Sequence, residues 1–342
     1  MKILYAIQGT GNGHLSRACE LIPQLKQLAD VDVLISGSEH ELNIPFEVKY
    51  TLHGIGFVFG NNGGINWLES YKKANFKRFL NEVKSLPVEN YNLILNDFEP
   101  VSAWAAKMKG VECCALSHQA AVMAKGSPRN WSFNFLAKAI LRNYAPFNRY
   151  VGFHFQAYNE HVFTPVIRHE IQQANYKNKG HYTVYLPAYA DDVLISVLQH
   201  AADVQWHVFS KRAKTAYKKG NVHVFPVDAQ QFVRSFTQCS GVLCGAGFET
   251  PAEALFMGKK LMVIPMQGQL EQQYNAFALQ QMGVTVLNKL SMQTLEAVFE
   301  WLDSPQRLQV SYKDNSMQAL QKALATNTSK QSAWWRAAAF LG

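Results

Sequence analysis

Long apolar runs are missing from this chain of 342 residues: none approaches the roughly 18 residues that a bilayer-spanning helix needs. Cysteine is sparse. The five present lack C-x-x-C spacing, and Cys113 and Cys114 stand side by side, so reduced thiols of a cytosolic protein are expected. Short-period repeats and low-complexity tracts are absent too. One long stretch holds no acid at all. From Cys113 to Asn159 there is no Asp or Glu, while Lys125, Arg129, Lys138, Arg142 and Arg149 fall inside it. A second basic stretch holds Lys72, Lys73, Lys77 and Arg78. The formal net charge is +8 and the pI about 9.1. That balance favours an anionic partner: nucleotide phosphates, an anionic membrane face or nucleic acid. The basic stretches carry no recognised nucleic-acid-binding motif, so nucleic acid is set aside.

What the chain does have is two glycine-rich turns. Gly9-Thr10-Gly11-Asn12-Gly13-His14 follows the apolar run Ile3 to Ile7, and Gly245-Ala246-Gly247-Phe248-Glu249-Thr250-Pro251 follows Val242 to Cys244. Each reads as strand, tight turn and helix start. Glycine there lets backbone N–H groups approach an anion, and the helix N-terminus adds its positive dipole end. A purely structural reading of Gly241, Gly245 and Gly247 is a tight strand–helix turn.

Strands and helices alternate around both turns. In the first half the pattern predicts strands over 2–7, 31–36, 93–96 and 113–116, with helices over 14–28 and 97–109. The second half gives strands over 182–186, 204–209, 222–225, 241–244 and 261–264. Helices are expected there over 191–200, 229–237, 251–257 and 272–282. The continuous apolar strands are those of buried parallel sheets. The result is an α/β protein with two doubly wound, Rossmann-like domains facing a central cleft. The expected division is 1–165, then 166–330 after a polar link over 161–180. A C-terminal helix is expected over 331–342, with Trp334, Trp335 and Phe340 able to pack on either domain.

Neither turn is a standard nucleotide motif. The first gives G-x-G-x-G rather than G-x-G-x-x-G, and the second strand ends at Ser36-Gly37 without an acid, which argues against a nicotinamide dehydrogenase. Gly258-Lys259 is followed by Lys260 after a helix, not before one, which argues against a P-loop. In the second turn Thr250 reads as an N-cap, Pro251 as the first helical residue and Glu253 as the partner in a capping box or a ligand contact. Asp30-Val31-Asp32 reads as a surface turn, and no metal site is expected.

At this point the chain resembles the two-domain GT-B glycosyltransferases. The pattern is similar to the bacterial enzymes that add N-acetylglucosamine from its UDP conjugate to the lipid-linked peptidoglycan precursor. The residues that carry the likeness run G-A-G-F-E-T-P-A-E-A-L-F-M-G-K-K from Gly245, then V-I-P-M, then Q-G-Q-L-E-Q-Q-Y-N-A. Where the relatives often have a further glycine-rich loop, this chain reads Leu186-Pro187-Ala188-Tyr189-Ala190. The resemblance implies a donor site. Backbone from Gly245 and Ala246 through Gly247, Phe248, Glu249 and Thr250 would hold the diphosphate, and Glu253 the ribose hydroxyls. Gln272 and Gln273 would contact the sugar, and backbone near Phe225 would read a uracil edge. Gly11, Asn12, Gly13 and His14 would close on the donor from the other domain. It implies a UDP-sugar as donor substrate, no cofactor, an acceptor hydroxyl and inversion.

Such a transfer needs a proton acceptor. His14 is the first candidate, because its reference pKa lies near working pH; its alternative role is to contact an anion or cap a helix. Asp97 ends a buried strand, where α/β sites form, and could orient His14, act as the base or cap a helix. His118 also ends a strand and is the third candidate. On the acceptor side, Leu136, Ala137, Ile140, Leu141 and Tyr144 recur from Phe133 at helical spacing, with Lys138 and Arg142 off that stripe. This is either a core-facing helix with a solvated basic face or an amphipathic helix on an anionic leaflet. The second option implies a lipid-linked acceptor and a cytoplasmic protein peripheral to the inner membrane face. Two rival functions share the donor turn: a nucleotide-sugar 2-epimerase and a non-catalytic nucleotide-sugar-binding protein.

Overall fold

The computed structural model describes residues 1–10, 12–37, 44–55, 75–129, 139, 141–174 and 176–325. The expected tail helix, Gly11, Lys72, Lys73 and the stripe from Phe133 to Ile140 other than residue 139 lie outside them. Two parallel-rich sheets carry the fold, one in each half of the chain.

The first sheet holds β1 (Lys2–Gln8), β2 (Asp30–Ser36), β3 (Tyr50–Leu52), β4 (Leu93–Asp97), β5 (Cys113–Ser117), β6 (Arg149–Phe153) and β7 (Val162–Phe163). Their order is β3-β2-β1-β4-β5-β6-β7, with every pairing parallel. The helices are α1 (Asn12–Leu28), α2 (Phe76–Ser85), α3 (Pro100–Lys109) and α4 (His118–Met123), with the single turn α5 (His169–Gln172) following. β1 is central and covered on both faces, so Ile3 to Ile7 are fully buried. The link expected over 161–180 begins inside this sheet, because Val162–Phe163 pairs with β6.

The second sheet holds β8 (Tyr182–Tyr185), β9 (Trp206–Ser210), β10 (Tyr217–Lys219), β11 (Val222–Pro226), β12 (Gly241–Gly245), β13 (Lys260–Ile264) and β14 (Thr285–Val286), in the order β10-β11-β9-β8-β12-β13-β14. Only the edge strand β10 runs antiparallel among the described pairings. Its helices are α6 (Asp191–Leu198), α7 (Ala229–Gln238), α8 (Glu249–Phe256), α9 (Leu270–Gln281) and α10 (Leu295–Asp303). The last described helix, α11 (Ser316–Leu324), returns to the first sheet and packs on α1 and β6. Ala319, Leu320 and Ala323 are buried there, and Ser316 Oγ donates to Gln24 Oε1 at 2.9 Å.

Three expectations change. The helix after β4 starts at Pro100, not Asp97: the buried Glu99 caps it, accepting from the N–H groups of Val101 and Ser102 at 2.7 and 2.6 Å. The helix after β12 starts at Glu249, two residues before Pro251, with Phe248 at the cap and no side-chain cap bond. Thr250 is therefore not its cap, and Glu253 forms no capping box. Asp30 to Asp32 open β2 rather than a turn, and Asp32 accepts from Lys49 Nζ at 2.6 Å and Tyr91 Oη at 2.7 Å.

Candidate active site

In both sheets the strand order reverses beside the first strand. Segments leaving neighbouring strands there go to opposite faces and open a crevice at the carboxyl ends. In the first sheet this happens between β1 and β4, so the turn after Gln8 and the end of β4 come together. Gly9 makes the first turn possible. Its N–H donates to Ser36 O at 2.6 Å, and a Cβ there would meet Ile35 Cγ2 and Ser36 O at 2.9 Å. The chain then enters α1, with His14 in its first turn. Across the crevice Asp97 is fully buried as the last residue of β4. The next residue, Phe98, has φ 57°, the sole non-glycine in the left-handed region among the described residues. Such a conformation costs about 1–2 kcal/mol and persists because its surroundings hold it. It lays the Phe98 ring parallel to His14, 6.5 Å between centroids at 8°.

The two sequence candidates meet. His14 Nδ1 lies 2.8 Å from Asp97 Oδ1. A carboxylate accepts, so Nδ1 carries the proton and the lone pair sits on Nε2. His14 keeps 15% of its side chain exposed, and Gln119 Nε2 is 3.5 Å from His14 Nε2. Arg17, one helical turn along α1, donates through one nitrogen to both Asp97 oxygens at 2.8 Å each. Burial disfavours the charged form of His14, but the adjacent Asp97 carboxylate outweighs it and raises the His14 pKa above its ordinary value. Burial likewise disfavours ionised Asp97, and Arg17 with His14 outweighs that and holds its pKa below the usual range. The arrangement presents an oriented imidazole with an ionised carboxylate behind it, the geometry that general-base chemistry requires.

The other wall comes from the second sheet, where the order reverses between β8 and β12. A cavity of about 420 Å³ opens there. Gly245, Gly247, Phe248, Glu249 and Thr250 line it from the turn into α8, and Asn12 and Gly13 from the opposite domain. No side chain caps α8, and its first two residues, Glu249 and Thr250, line this space just ahead of Pro251. A Cβ at Gly247 would meet nothing within 4 Å. Ala246 lies behind the wall, its N–H donating to Ile264 O at 3.2 Å.

The remaining donor-side residues divide. Glu253 lines the cavity, and Arg168 binds both its oxygens at 2.7 Å through Nε and a terminal nitrogen. Gln272 lines it too and accepts from Met266 N–H at 2.9 Å. Gln273 and Phe225 do not line it; Phe225 packs among His207, Phe209 and His223. Past β11 the lining passes instead to Val227, Asp228 and Phe232, and after β8 to Leu186, Pro187 and Tyr189.

His118 is brought to the domain boundary but away from the cavity. It is 1% exposed, with Nδ1 2.8 Å from Phe153 O and Nε2 2.8 Å from Asn275 Oδ1 of α9. Its ring stacks on Phe248 at 3.9 Å and 5°. Both nitrogens are occupied and burial pushes its pKa down, so it fastens the two domains and offers no free base. Sequence reasoning missed Arg17, Arg168 and Asn275. Arg17 carried a signal: three residues after His14 on a helix, it shares that face.

A fold of two facing doubly wound sheets, with Asn12 and Gly13 of the first domain and the turn into α8 of the second lining one cavity, is that of a GT-B glycosyltransferase. The chain belongs to glycosyl transferase family 1, whose profile matches residues 1–304. It matches no curated protein by sequence. Among solved structures it is similar to the glycotransferase of kitacinnamycin, at 15% identity and TM-score 0.56 over 94% of this chain and 93% of that one. Similar too are MurG of Acinetobacter baumannii (16%, TM-score 0.53, 94% of each) and Arabidopsis thaliana UGT89C1 complexed with UDP (13%, TM-score 0.54, 98% and 97%). At these identities the structures speak to the fold.

Proposed function

We propose that this glycosyltransferase moves a hexosyl unit from a UDP-sugar to an acceptor hydroxyl, with inversion and with neither metal nor cofactor. The half built on the second sheet holds the donor and the half built on the first sheet the acceptor. The hydrogen bond between His14 and Asp97 carries this reading, His14 being next in sequence to Gly13, which lines the cavity with the turn at 245–250. His14 Nε2 takes the acceptor O–H proton, and the acceptor oxygen bonds to the anomeric carbon from the face opposite the diphosphate. The bond from that carbon to the diphosphate oxygen breaks, and UDP leaves with the electron pair. The N–H groups leading α8 receive the charge that develops on it. Glu253, fixed by Arg168, reaches the ribose hydroxyls. Gln272 contacts the sugar. The likeness to a UDP-bound neighbour supports the choice of nucleotide.

We assign the acceptor to the lipid-linked class, met at the anionic inner face of a membrane. No helix among the described residues is long and apolar enough to cross one. Support comes from α2, where Phe76 and Leu80 stand 49% exposed one turn apart, beside Lys77 and Arg78. Apolar side chains with flanking cations suit an anionic interface.

A thermal-shift panel tests the donor. UDP or a UDP-sugar should raise Tm through linkage, and nicotinamide nucleotides and ATP should not. Donor turned over to an epimer without acceptor would replace transfer by epimerisation, and His14→Ala without loss of turnover would remove His14 as the base. Absence of co-flotation with anionic liposomes at low salt would remove the membrane.

A further inference from the structure

The geometry points to a base whose strength is set from the opposite domain: Glu249 shares Arg17 with Asp97 and so offsets the cation that opposes a proton on His14. This rests on the reading of His14 as the base. Arg17 is 2% exposed and is shared by two carboxylates. One terminal nitrogen donates to both oxygens of Asp97 at 2.8 Å, and the other donates to Glu249 Oε1. Glu249 opens α8 in the second domain, whereas His14, Arg17 and Asp97 belong to the first.

The consequence follows from counting charge. Arg17 and Asp97 alone make a neutral pair, in which Arg17 opposes the pull that Asp97 exerts on a proton at His14. Adding Glu249 leaves one net negative charge beside the imidazole, and burial keeps it weakly screened. The other titratable neighbours do not supply this. Tyr5, beneath the group on β1, is kept neutral by burial. Glu271 of α9 reaches His14 only through Gln119, whose Nε2 it accepts at 3.0 Å. Arg17 itself, 3.2 Å from His14 Nδ1, works against protonation.

Glu249 is supplied by the opposite domain, and the sequence makes room for it. A Cβ at Gly13 would sit 2.5 Å from Glu249 Oε2. The imidazole is thus a weaker base while the cleft is open to water and a stronger one when the donor wall is in place. Arg17 and Glu249 are positioning residues; neither needs to touch substrate.

The test is an NMR titration of the His14 ring in the full chain, with and without UDP. It compares wild type with Glu249→Gln, which removes the charge, and Gly13→Ala, which displaces the carboxylate. In both variants the His14 midpoint should fall by about half a pH unit or more, and the acidic limb of the transfer rate should follow. A merely structural bridge would lower the rate and leave the limb in place. Midpoints equal to wild type in both variants, with UDP present, would overturn the coupling. A shifted midpoint alongside an active His14→Ala enzyme would instead overturn the base reading and leave the coupling standing.

Discussion

Both carboxylate oxygens of Glu253 are held by one guanidinium, that of Arg168, at 2.7 Å each. Glu253 is 2% exposed, so its charge is compensated by this neighbour and not by water. Arg168→Met should therefore cost about 3 kcal/mol, because it strands a buried carboxylate, while the double variant with Glu253→Gln should recover part of that loss. Chemical denaturation of the three proteins measures it.

The His14–Asp97 pair sets a direction with pH. A base must be unprotonated, and Asp97 raises the His14 pKa, so turnover should fall as pH drops through a midpoint above the ordinary histidine value. Asp97→Asn should move that limb to lower pH and cost about 10²–10⁴ in rate. A pH–rate profile reads both effects.

Two glycines separate stability from function. Gly9→Ala forces a Cβ against Ile35 and the Ser36 carbonyl at 2.9 Å and should destabilise by about 1–3 kcal/mol. Gly247→Ala meets nothing within 4 Å, so stability should stay within about 0.5 kcal/mol, while the methyl obstructs the diphosphate and raises the donor KM. Denaturation and donor saturation curves together show the split.

Buried neutral histidines predict acid sensitivity. Burial lowers the pKa of His118 and, further, of His154, whose Nε2 lacks a partner; it also brings His207 to about 4, with His181 and His223 adding to it. Below the ordinary value near 6.5 the unfolded chain binds more protons than the native one, so stability should fall from about pH 6.5 towards 4. His14 has the opposite sign: its contribution is full below 6.5 and is lost as pH rises through its raised folded value. Denaturation midpoints across this range should show the loss on the acid side dominating, since these histidines outnumber His14.

Asn275 bridges the domains through two bonds. Its Oδ1 lies 2.8 Å from His118 Nε2, and its Nδ2 donates to Ala246 O at 3.1 Å. Asn275→Ala leaves both buried partners unmet and should cost about 1–3 kcal/mol, read as a lower Tm.

The alternation of apolar strands and amphipathic helices was enough to reveal both sheets, because parallel strands buried on two faces leave unbroken runs such as Ile3 to Ile7. The short edge strands β3, β7, β10 and β14 escaped, since two or three residues leave no period. β6 escaped because Arg149 and Tyr150 hide its apolar character among basic, aromatic neighbours. The meeting of His14 with Asp97 was legible, as Asp97 ends one central strand and His14 follows the turn after its neighbour. The burial of His118 was not, because its partner Asn275 comes from the other half of the chain. Glu253 looked like half of a capping box until Arg168, 85 positions away, claimed its carboxylate.

The return of Ser316–Leu324 to α1 and β6 means that the chain passes between the domains twice. The two halves are thus joined by two stretches of chain as well as by the Arg17–Glu249 and His118–Asn275 bonds, so cutting either connection should leave them held by the other.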